Sequence, residues 1–135
     1  MAETPRSMLE RIYAASNAIP KELDIIPELY APTFLHNGVP RSAGTWQRIC
    51  EGLYSALPDA TFDLLDITTE EDRVFCRYVM HATHTGDLAL PGKVIAATGR
   101  KVEVWGLELR RVKDGRFVEL WSSDISQLVE QLEAP

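Results

Sequence analysis

Apolar and polar residues alternate along two stretches in the last third of the chain, on either side of Val112-Lys113-Asp114-Gly115. An Asp-Gly pair between alternating runs is the strongest short-range signal for a β-hairpin, because both residues tolerate the positive φ angles of a tight turn. The stretch from Val94 to Asp124 is therefore predicted to form a long hairpin at the centre of one sheet, with Asp124 at the end of its second strand.

Four other segments repeat apolar residues at helical spacing. They cover residues 4–20, 24–31, 45–58 and 125–132, and the first and third open on a threonine that can cap a helix. The first segment also carries Pro5 at the position where a proline suits the first helical turn. We expect four helices, each with one apolar side to bury.

Residues that favour β-structure dominate 33–36, 61–69 and 73–85, and the acidic turn between the last two ranges predicts a second hairpin. The even positions of 73–85 are mostly apolar and the odd positions are mixed, so the odd side is expected to line a semi-polar cavity. Residues 86–97 are predicted to be an irregular connection lying over the pocket mouth. This order of elements predicts an α+β fold with helices packed on one side of a curved sheet.

Length and charge narrow the functional classes. The 135 residues fit one domain, predicted to span 1–135. The net charge of −6 lacks the basic footprint needed to bind nucleic acid or an anionic membrane. Cys50 and Cys76 form no CxxC motif, so no disulfide framework is indicated and Cys50 is expected in the core. With no secretion signal and no apolar run of the roughly 18 residues that span a bilayer, we expect a soluble, cytoplasmic protein.

Short motifs in a fixed order occupy the chain from Leu29 to Leu132. They are Leu29-Tyr30-Ala31-Pro32 with Phe34 and His36, Leu57-Pro58-Asp59, Thr83-His84-Thr85-Gly86, Thr98-Gly99-Arg100, Asp114-Gly115-Arg116-Phe117 with Trp121, and Asp124 with Gln131-Leu132. Together they resemble the SnoaL-like polyketide cyclase family, within the cone-shaped α+β barrel superfamily of ketosteroid isomerase and scytalone dehydratase. The resemblance implies a cone-shaped barrel, with a curved antiparallel mixed sheet whose concave face is covered by N-terminal helices. It also implies a reaction that needs no cofactor and no metal.

The resemblance further implies that Asp124 is the acid/base of an intramolecular aldol closure. Such a carboxyl group needs a pKa raised toward neutral, which burial in an apolar pocket provides. In this chain Asp124 follows Trp121 by three steps instead of the family's usual four, so a bulge or an early strand end is needed to keep its orientation. The alternative is structural, because Asp124-Ile125-Ser126-Gln127 also fits a capping box that would lower the pKa.

The three histidines are the next candidates for chemistry. His36 and His84 are candidate catalytic helpers, and His81 is a candidate substrate ligand; each can also be a hydrogen-bonded structural group. His81 and His84 are three positions apart on a strand and should point to opposite faces, which argues against a metal site.

The remaining substrate-binding candidates are two charged residues and three aromatic ones. Arg77 and Glu108 lie mid-strand, where charges face solvent, pair with one another or line a polar cavity. Tyr13, Trp46 and Trp105 are expected to be pocket wall or plain core.

We therefore predict a cofactor-independent cyclase or isomerase that acts on a small hydrophobic polyketide. One alternative is an epoxide or ester hydrolase whose water is held by Arg77, Glu108 and Asp124, and another is a non-catalytic small-molecule-binding module. The outer side of the sheet should expose an apolar patch containing Trp105, Leu107 or Leu109, which predicts a homodimer.

Overall fold

The structure is a computed structural model that describes residues 3–135. Its helices are α1 (Pro5–Asn17), α2 (Ile26–Leu29), α3 (Ala43–Ala56) and α4 (Ser126–Glu133), with a 3-10 turn at Leu23–Ile25. Its strands are β1 (Tyr30–His36), β2 (Val39–Ser42), β3 (Thr61–Glu70), β4 (Arg73–Thr83), β5 (Leu88–Leu90), β6 (Lys93–Ile95), β7 (Lys101–Lys113) and β8 (Arg116–Ser122). The predicted α+β class is confirmed.

Six strands form one curved, mixed sheet in the order β2-β1-β8-β7-β4-β3. The predicted central hairpin is confirmed, but it spans Lys101–Ser122 and is shorter than the expected Val94–Asp124, because Val94 belongs to the separate strand β6. Strand β7 pairs antiparallel with β8, and the turn residues Asp114 and Gly115 have φ angles of 51° and 77°. Both are positive, as a two-residue hairpin turn requires. Strand β1 pairs parallel with β8, so the first and last strands of the main sheet lie side by side.

The sheet has a helix-covered face and an open face. On β7 the even positions Val102, Val104 and Arg110 are buried, whereas the odd positions Trp105 and Leu107 are exposed. Successive strand residues point to opposite sides, and the even positions face the helices: Arg110 lies under α1, and Val102 and Val104 share a core cluster with residues of α3 and α4. The N-terminal helices therefore cover one side of the sheet, as predicted.

Helix α1 supplies much of the packing over the sheet. Thr4 caps it, with its side chain accepting a hydrogen bond from the Ser7 amide, and Pro5 opens its first turn. Its apolar stripe, which includes Met8, Leu9, Ile12 and Tyr13, is buried in the larger of two core clusters. A second cluster lies at the other end of the sheet, between α3, α4 and the first residues of β7.

Three local predictions need correction. The helix expected at 24–31 is a 3-10 turn and a single turn of α2, because residues from Tyr30 onward pair as a strand. Helix α3 is capped by Ser42 and starts earlier than the threonine cap predicted. Residues 86–97 are not irregular: β5 and β6 form a small hairpin, and Leu88 packs into the second cluster.

Candidate functional site

A cluster of charged and hydroxyl-bearing side chains lies inside the helix-covered face. Arg110 Nη1 and Glu108 Oε1 form an ion pair at 3.2 Å, and only 5% and 12% of the two side chains are exposed. Tyr13 on α1 donates its hydroxyl hydrogen to the same oxygen of Glu108, and Arg110 Nε donates to the Tyr30 hydroxyl at 3.0 Å. Buried charges are costly unless they are paired and hydrogen-bonded. Tyr13 comes from α1 and the other three residues from the sheet, so the network is complete only when α1 packs on the sheet.

Burial and the ion pair set the protonation of these groups. Burial raises the pKa of Tyr13, and the adjacent Glu108 carboxylate raises it further. Burial lowers the pKa of Arg110, but Glu108 and the Tyr30 hydroxyl outweigh this effect and hold the pKa well above its ordinary value. At neutral pH, Tyr13 is therefore a protonated donor and Arg110 a cation.

Polar side chains continue from Glu108 across three further strands to the sheet edge. Ser122 on β8 is the cross-strand neighbour of Glu108, and such neighbours project from the same face. His36 on β1 places Nε2 at 3.2 Å from Ser122 Oγ, and Arg41 on β2 donates from Nε to His36 Nδ1 at 3.0 Å. We call Glu108, Ser122, His36 and Arg41 the polar row.

The hydrogen bonds of His36 fix its tautomer. A guanidinium has only donors, so Nδ1 of His36 is the acceptor and the ring proton of the neutral form lies on Nε2, facing Ser122. Burial lowers the pKa of His36, and the Arg41 cation lowers it further. His36 is thus a neutral donor to the Ser122 oxygen, which leaves the serine hydroxyl hydrogen available to another acceptor.

Aromatic side chains fill the space between the polar row and the helices. The Trp46 ring on α3 lies 4.6 Å from the His36 ring, centroid to centroid. Tyr78 lies over Gly106, where an added Cβ would come within 2.2 Å of Tyr78 Cζ, so the absence of a side chain at Gly106 makes room for the phenol. Trp46 is only partly buried, so part of its ring is accessible to a ligand beside His36.

Asp124 lies outside this cluster. Strand β8 ends at Ser122, and Asp124 is exposed in the turn before α4, where its Oδ1 accepts hydrogen bonds from the hydroxyl and the amide of Ser126 at 2.6 and 2.9 Å. These bonds hold the pKa of Asp124 below its ordinary value. The capping box does not form either, because the Gln127 side chain bonds the backbone of Trp105. The expected burial and raised pKa of Asp124 are therefore wrong, and its catalytic role stays a prediction.

Three predicted substrate-binding residues lie on the open face. Arg77 pairs with Asp66 at 2.7 Å, and His81 Nε2 lies 3.8 Å from Asp63, all with exposed side chains. Trp105 is 49% exposed. The prediction that the odd positions of β4 line the cavity is wrong, because period-two alternation separates two faces without showing which one the helices cover.

His84 is buried at the far end of β4. Its Nδ1 accepts a hydrogen bond from the Thr98 amide at 3.1 Å, and its backbone carbonyl accepts one from Gly99, so it holds the segment that leads into β7. It lies eight residues beyond Cys76, the β4 partner of Glu108, or roughly 25 Å at about 3.3 Å per residue. The structure therefore does not bring His84 together with the polar row.

Four of the predicted site residues do converge: His36, Glu108, Tyr13 and Trp46. Sequence reasoning missed Arg41 and Ser122. Arg41 follows Gly38 and Pro40, residues typical of a turn, and only its pairing with Phe34 places it on the inner side of an edge strand. Ser122 has no motif around it that marks a functional serine, whereas its position opposite Glu108 indicates a hydrogen-bonding role.

The cysteines and the surface offer little further chemistry. Burial raises the pKa of the Cys50 thiol to about 12, which makes it unreactive and fits the predicted core position. Residues 3–135 hold no group of three or more His, Cys, Asp and Glu side chains placed to bind a metal ion. Within the same range, no helix has the length and apolar character to cross a bilayer. A depression of about 240 Å³ lies on the open face beside Trp121, and one of about 260 Å³ lies beside His81.

A curved mixed sheet with helices over one side and a polar cluster beneath them defines a cone-shaped α+β barrel. The family model of the SnoaL-like polyketide cyclases matches residues 8–132, and the chain belongs to that family. The resemblance inferred from the sequence motifs is thereby confirmed. None of the curated protein sequences compared with the chain matches it significantly.

Solved structures with the same fold come from several bacteria. IdmH of Streptomyces antibioticus, proposed to be a polyketide cyclase, is 28% identical with a TM-score of 0.75, covering 96% of this chain and 99% of its own. AclR of Streptomyces galilaeus, proposed to be a hydroxylase, is 27% identical with a TM-score of 0.78, covering 95% of this chain and 80% of its own. A protein of Jannaschia sp. CCS1 shares the fold at 17% identity and a TM-score of 0.82, covering 97% of this chain and 92% of its own.

Proposed function

We propose that the protein is a cofactor-independent cyclase or isomerase that closes or rearranges a small, hydrophobic, carbonyl-bearing polyketide by general acid/base chemistry. The observation that carries this proposal is the placement of one carboxylate, Glu108, inside the helix-covered face beside a hydroxyl and a neutral histidine. Membership of the SnoaL-like family and the likeness to IdmH, itself proposed to be a polyketide cyclase, support the same reaction class.

One carboxylate oxygen of Glu108 accepts hydrogen bonds from protein side chains, and the other is available to a ligand. Oε1 accepts from both Tyr13 and Arg110. Oε2 has no hydrogen-bond partner among residues 3–135, and it is not fully buried. These bonds fix the carboxylate plane while leaving Oε2 to meet a ligand, the arrangement that a positioned base needs.

In the proposed reaction, Glu108 Oε2 takes a proton from the carbon beside a substrate carbonyl. The carbanion electrons form the new carbon–carbon bond at a second carbonyl, whose oxygen becomes an alkoxide. Ser122, with its oxygen held by His36, donates a hydrogen bond to that alkoxide. Glu108 then returns the proton, so the closure consumes no external acid or base.

The hydrolase alternative required Arg77, Glu108 and Asp124 to hold one water molecule. They do not converge: Arg77 is on the open face, Glu108 is beneath the helices, and Asp124 is in an exposed turn. The geometry thus favours the cyclase or isomerase over this form of hydrolase.

The direct test is turnover of a panel of linear and partly cyclised polyketide precursors by Glu108→Gln, with Asp66→Asn as a matched control on the open face. Loss of a positioned base predicts a fall in kcat of about 10²- to 10⁴-fold for Glu108→Gln and no change for the control. Folding of each variant is checked by urea denaturation.

Asp124→Asn is measured on the same panel, because the family resemblance assigns that position the acid/base role. Loss of turnover in Asp124→Asn with full activity in Glu108→Gln would place the chemistry at Asp124. Full activity in both variants would refute both the assignment to Glu108 and the assignment to Asp124. If the wild-type protein binds the precursors without converting them, it is a binding module.

We also propose that the open face pairs with a second copy of the chain. Phe75, Trp105, Leu107 and Trp121 expose between 38% and 49% of their surfaces there. A patch of this kind on a rigid sheet favours a self-complementary dimer. Trp105→Lys should convert a dimer to a monomer in sedimentation equilibrium, whereas a wild-type monomer at micromolar concentration would refute the proposal.

A further inference from the structure

Arg41 occupies an unusual electrostatic position at the sheet edge. It is directly opposite Phe34 in the β1–β2 pairing, so its side chain projects on the helix-covered side, and it is only partly exposed. Within residues 3–135 its side chain makes one hydrogen bond, to a neutral acceptor, Nδ1 of His36. Among residues 3–135, no carboxylate lies within ion-pair distance of it.

The contrast with Arg110 shows what Arg41 lacks. Arg110 is buried on the same face and satisfied by Glu108 and Tyr30. Nε of Arg41 donates to His36, while the terminal Nη1 and Nη2 have no acceptor among residues 3–135. A partly dehydrated guanidinium with a free planar fork is suited to a carboxylate, which can accept two parallel hydrogen bonds from it.

Flat side chains adjoin this fork. The rings of His36 and Trp46 are 4.6 Å apart, and Trp46 also contacts Phe34, with centroids 6.4 Å apart. Both His36 and Trp46 are partly exposed. A planar ring can therefore pack on Trp46 while a substituent on its edge reaches Arg41.

We propose that Arg41 and Trp46 form a subsite for a carboxylate attached to a planar, conjugated ring, so that the ligand of the polar row carries an ionised acid group. This proposal rests on the proposed function only in placing the ligand over the polar row. The carboxylate is the part of the ligand that faces the sheet edge, whereas Glu108 acts on the part that lies beneath the helices. Arg41 is a specificity-determining residue in this scheme, and it also fixes the tautomer of His36.

The experiment compares two probes of equal shape, 2-naphthoate and the neutral 2-naphthamide, by calorimetry at about pH 8, where the acid is ionised and histidine is neutral. The wild-type protein should bind the naphthoate at least about tenfold more tightly, since hydrogen bonds between ionised partners are stronger than those between neutral ones. Arg41→Gln should lower naphthoate affinity about tenfold or more and leave naphthamide affinity within about twofold, with Arg41→Lys intermediate.

Arg116→Gln is the matched control, because it removes the same charge from an exposed site at the start of β8. Equal affinity of the wild-type protein for both probes, or no binding of naphthoate at millimolar concentration, would overturn the proposal. So would an equal loss of both probes in Arg41→Gln, which would indicate a structural role, or an equal effect of Arg116→Gln, which would indicate net charge alone.

The binding test is independent of turnover, so the two proposals can fail separately. A naphthoate preference that depends on Arg41, together with full turnover in Glu108→Gln, would retain the anionic subsite and remove the acid/base assignment. Loss of turnover in Glu108→Gln without any naphthoate preference would retain the acid/base assignment and remove the anionic subsite.

Discussion

The buried pair of Glu108 and Arg110 gives a sharp stability prediction. Removing one partner of a buried ion pair leaves an uncompensated charge and costs about 3–5 kcal/mol. We expect Glu108→Leu and Arg110→Met each to fall in this range, since the two side chains are only 12% and 5% exposed. In the double variant no buried charge remains, and the main loss is one hydrogen bond each for Tyr13 and Tyr30, about 1 kcal/mol apiece.

The double variant should therefore be more stable than either single variant, at a cost of about 2 kcal/mol against wild type. The assay is urea denaturation followed by tryptophan fluorescence, with the slopes compared to confirm a common unfolding reaction. If the double variant shows the sum of the two single losses, the pair is not coupled and the reasoning is refuted.

An exposed pair in the same sheet provides the control. Arg77 and Asp66 lie on the open face with side chains 45% and 58% exposed. Their double-mutant cycle should give a coupling energy below about 1 kcal/mol, because solvent screens exposed charges. A coupling as large as that of the buried pair would show that burial is not what makes the inner pair important.

Three further predictions follow from local geometry. Gly86→Ala should lower the melting temperature strongly, because its Cβ would lie 2.4 Å from a backbone oxygen of α3, whereas Gly52→Ala, with nothing within 4 Å, should stabilise the helix by about 0.5–1 kcal/mol. His84→Leu removes the side-chain acceptor of the Thr98 amide, in a partly buried hydrogen bond, and should cost about 0.5–1.5 kcal/mol in urea denaturation, while His84→Asn, which keeps an acceptor, should cost less. The pKa of His36 is lowered in the folded state, so the unfolded chain binds the proton first as the pH falls; its contribution to stability is present above about pH 6.5 and is lost below it. His36→Gln should therefore reduce the difference between unfolding free energies at about pH 7.5 and pH 5.5, and an unchanged difference would contradict the prediction.

Local signals in the sequence predicted the fold well. The Asp114-Gly115 turn and the Thr4-Pro5 helix start depend on neighbouring residues alone, and both are confirmed. Strand alternation also separated the two faces of β4 correctly. It could not show that the even face is the one under the helices, because that depends on tertiary packing.

The candidate site was only partly predictable for the same reason. Glu108 and His36 were identified as candidates, but their connection through Ser122 depends on the pairing of β8 with both β7 and β1. The family resemblance implies an acid/base role for Asp124, whose orientation depends on where β8 ends. The early strand end expected from the shortened spacing is present, yet Asp124 turns toward solvent and the Ser126 amide.

The parallel pairing of β1 with β8 has a consequence for how the molecule is made. His36 and Ser122 are 86 residues apart, and Tyr13 and Glu108 are 95 apart, so the chemistry-bearing groups meet only through contacts of very high sequence separation. Folding is slow when such long loops must close, because the chain loses entropy before the new contacts compensate for it. On the ribosome, the β1–β2 hairpin must wait until β8 has emerged before its neighbouring strand exists. The polar row is accordingly among the last features of the sheet to assemble.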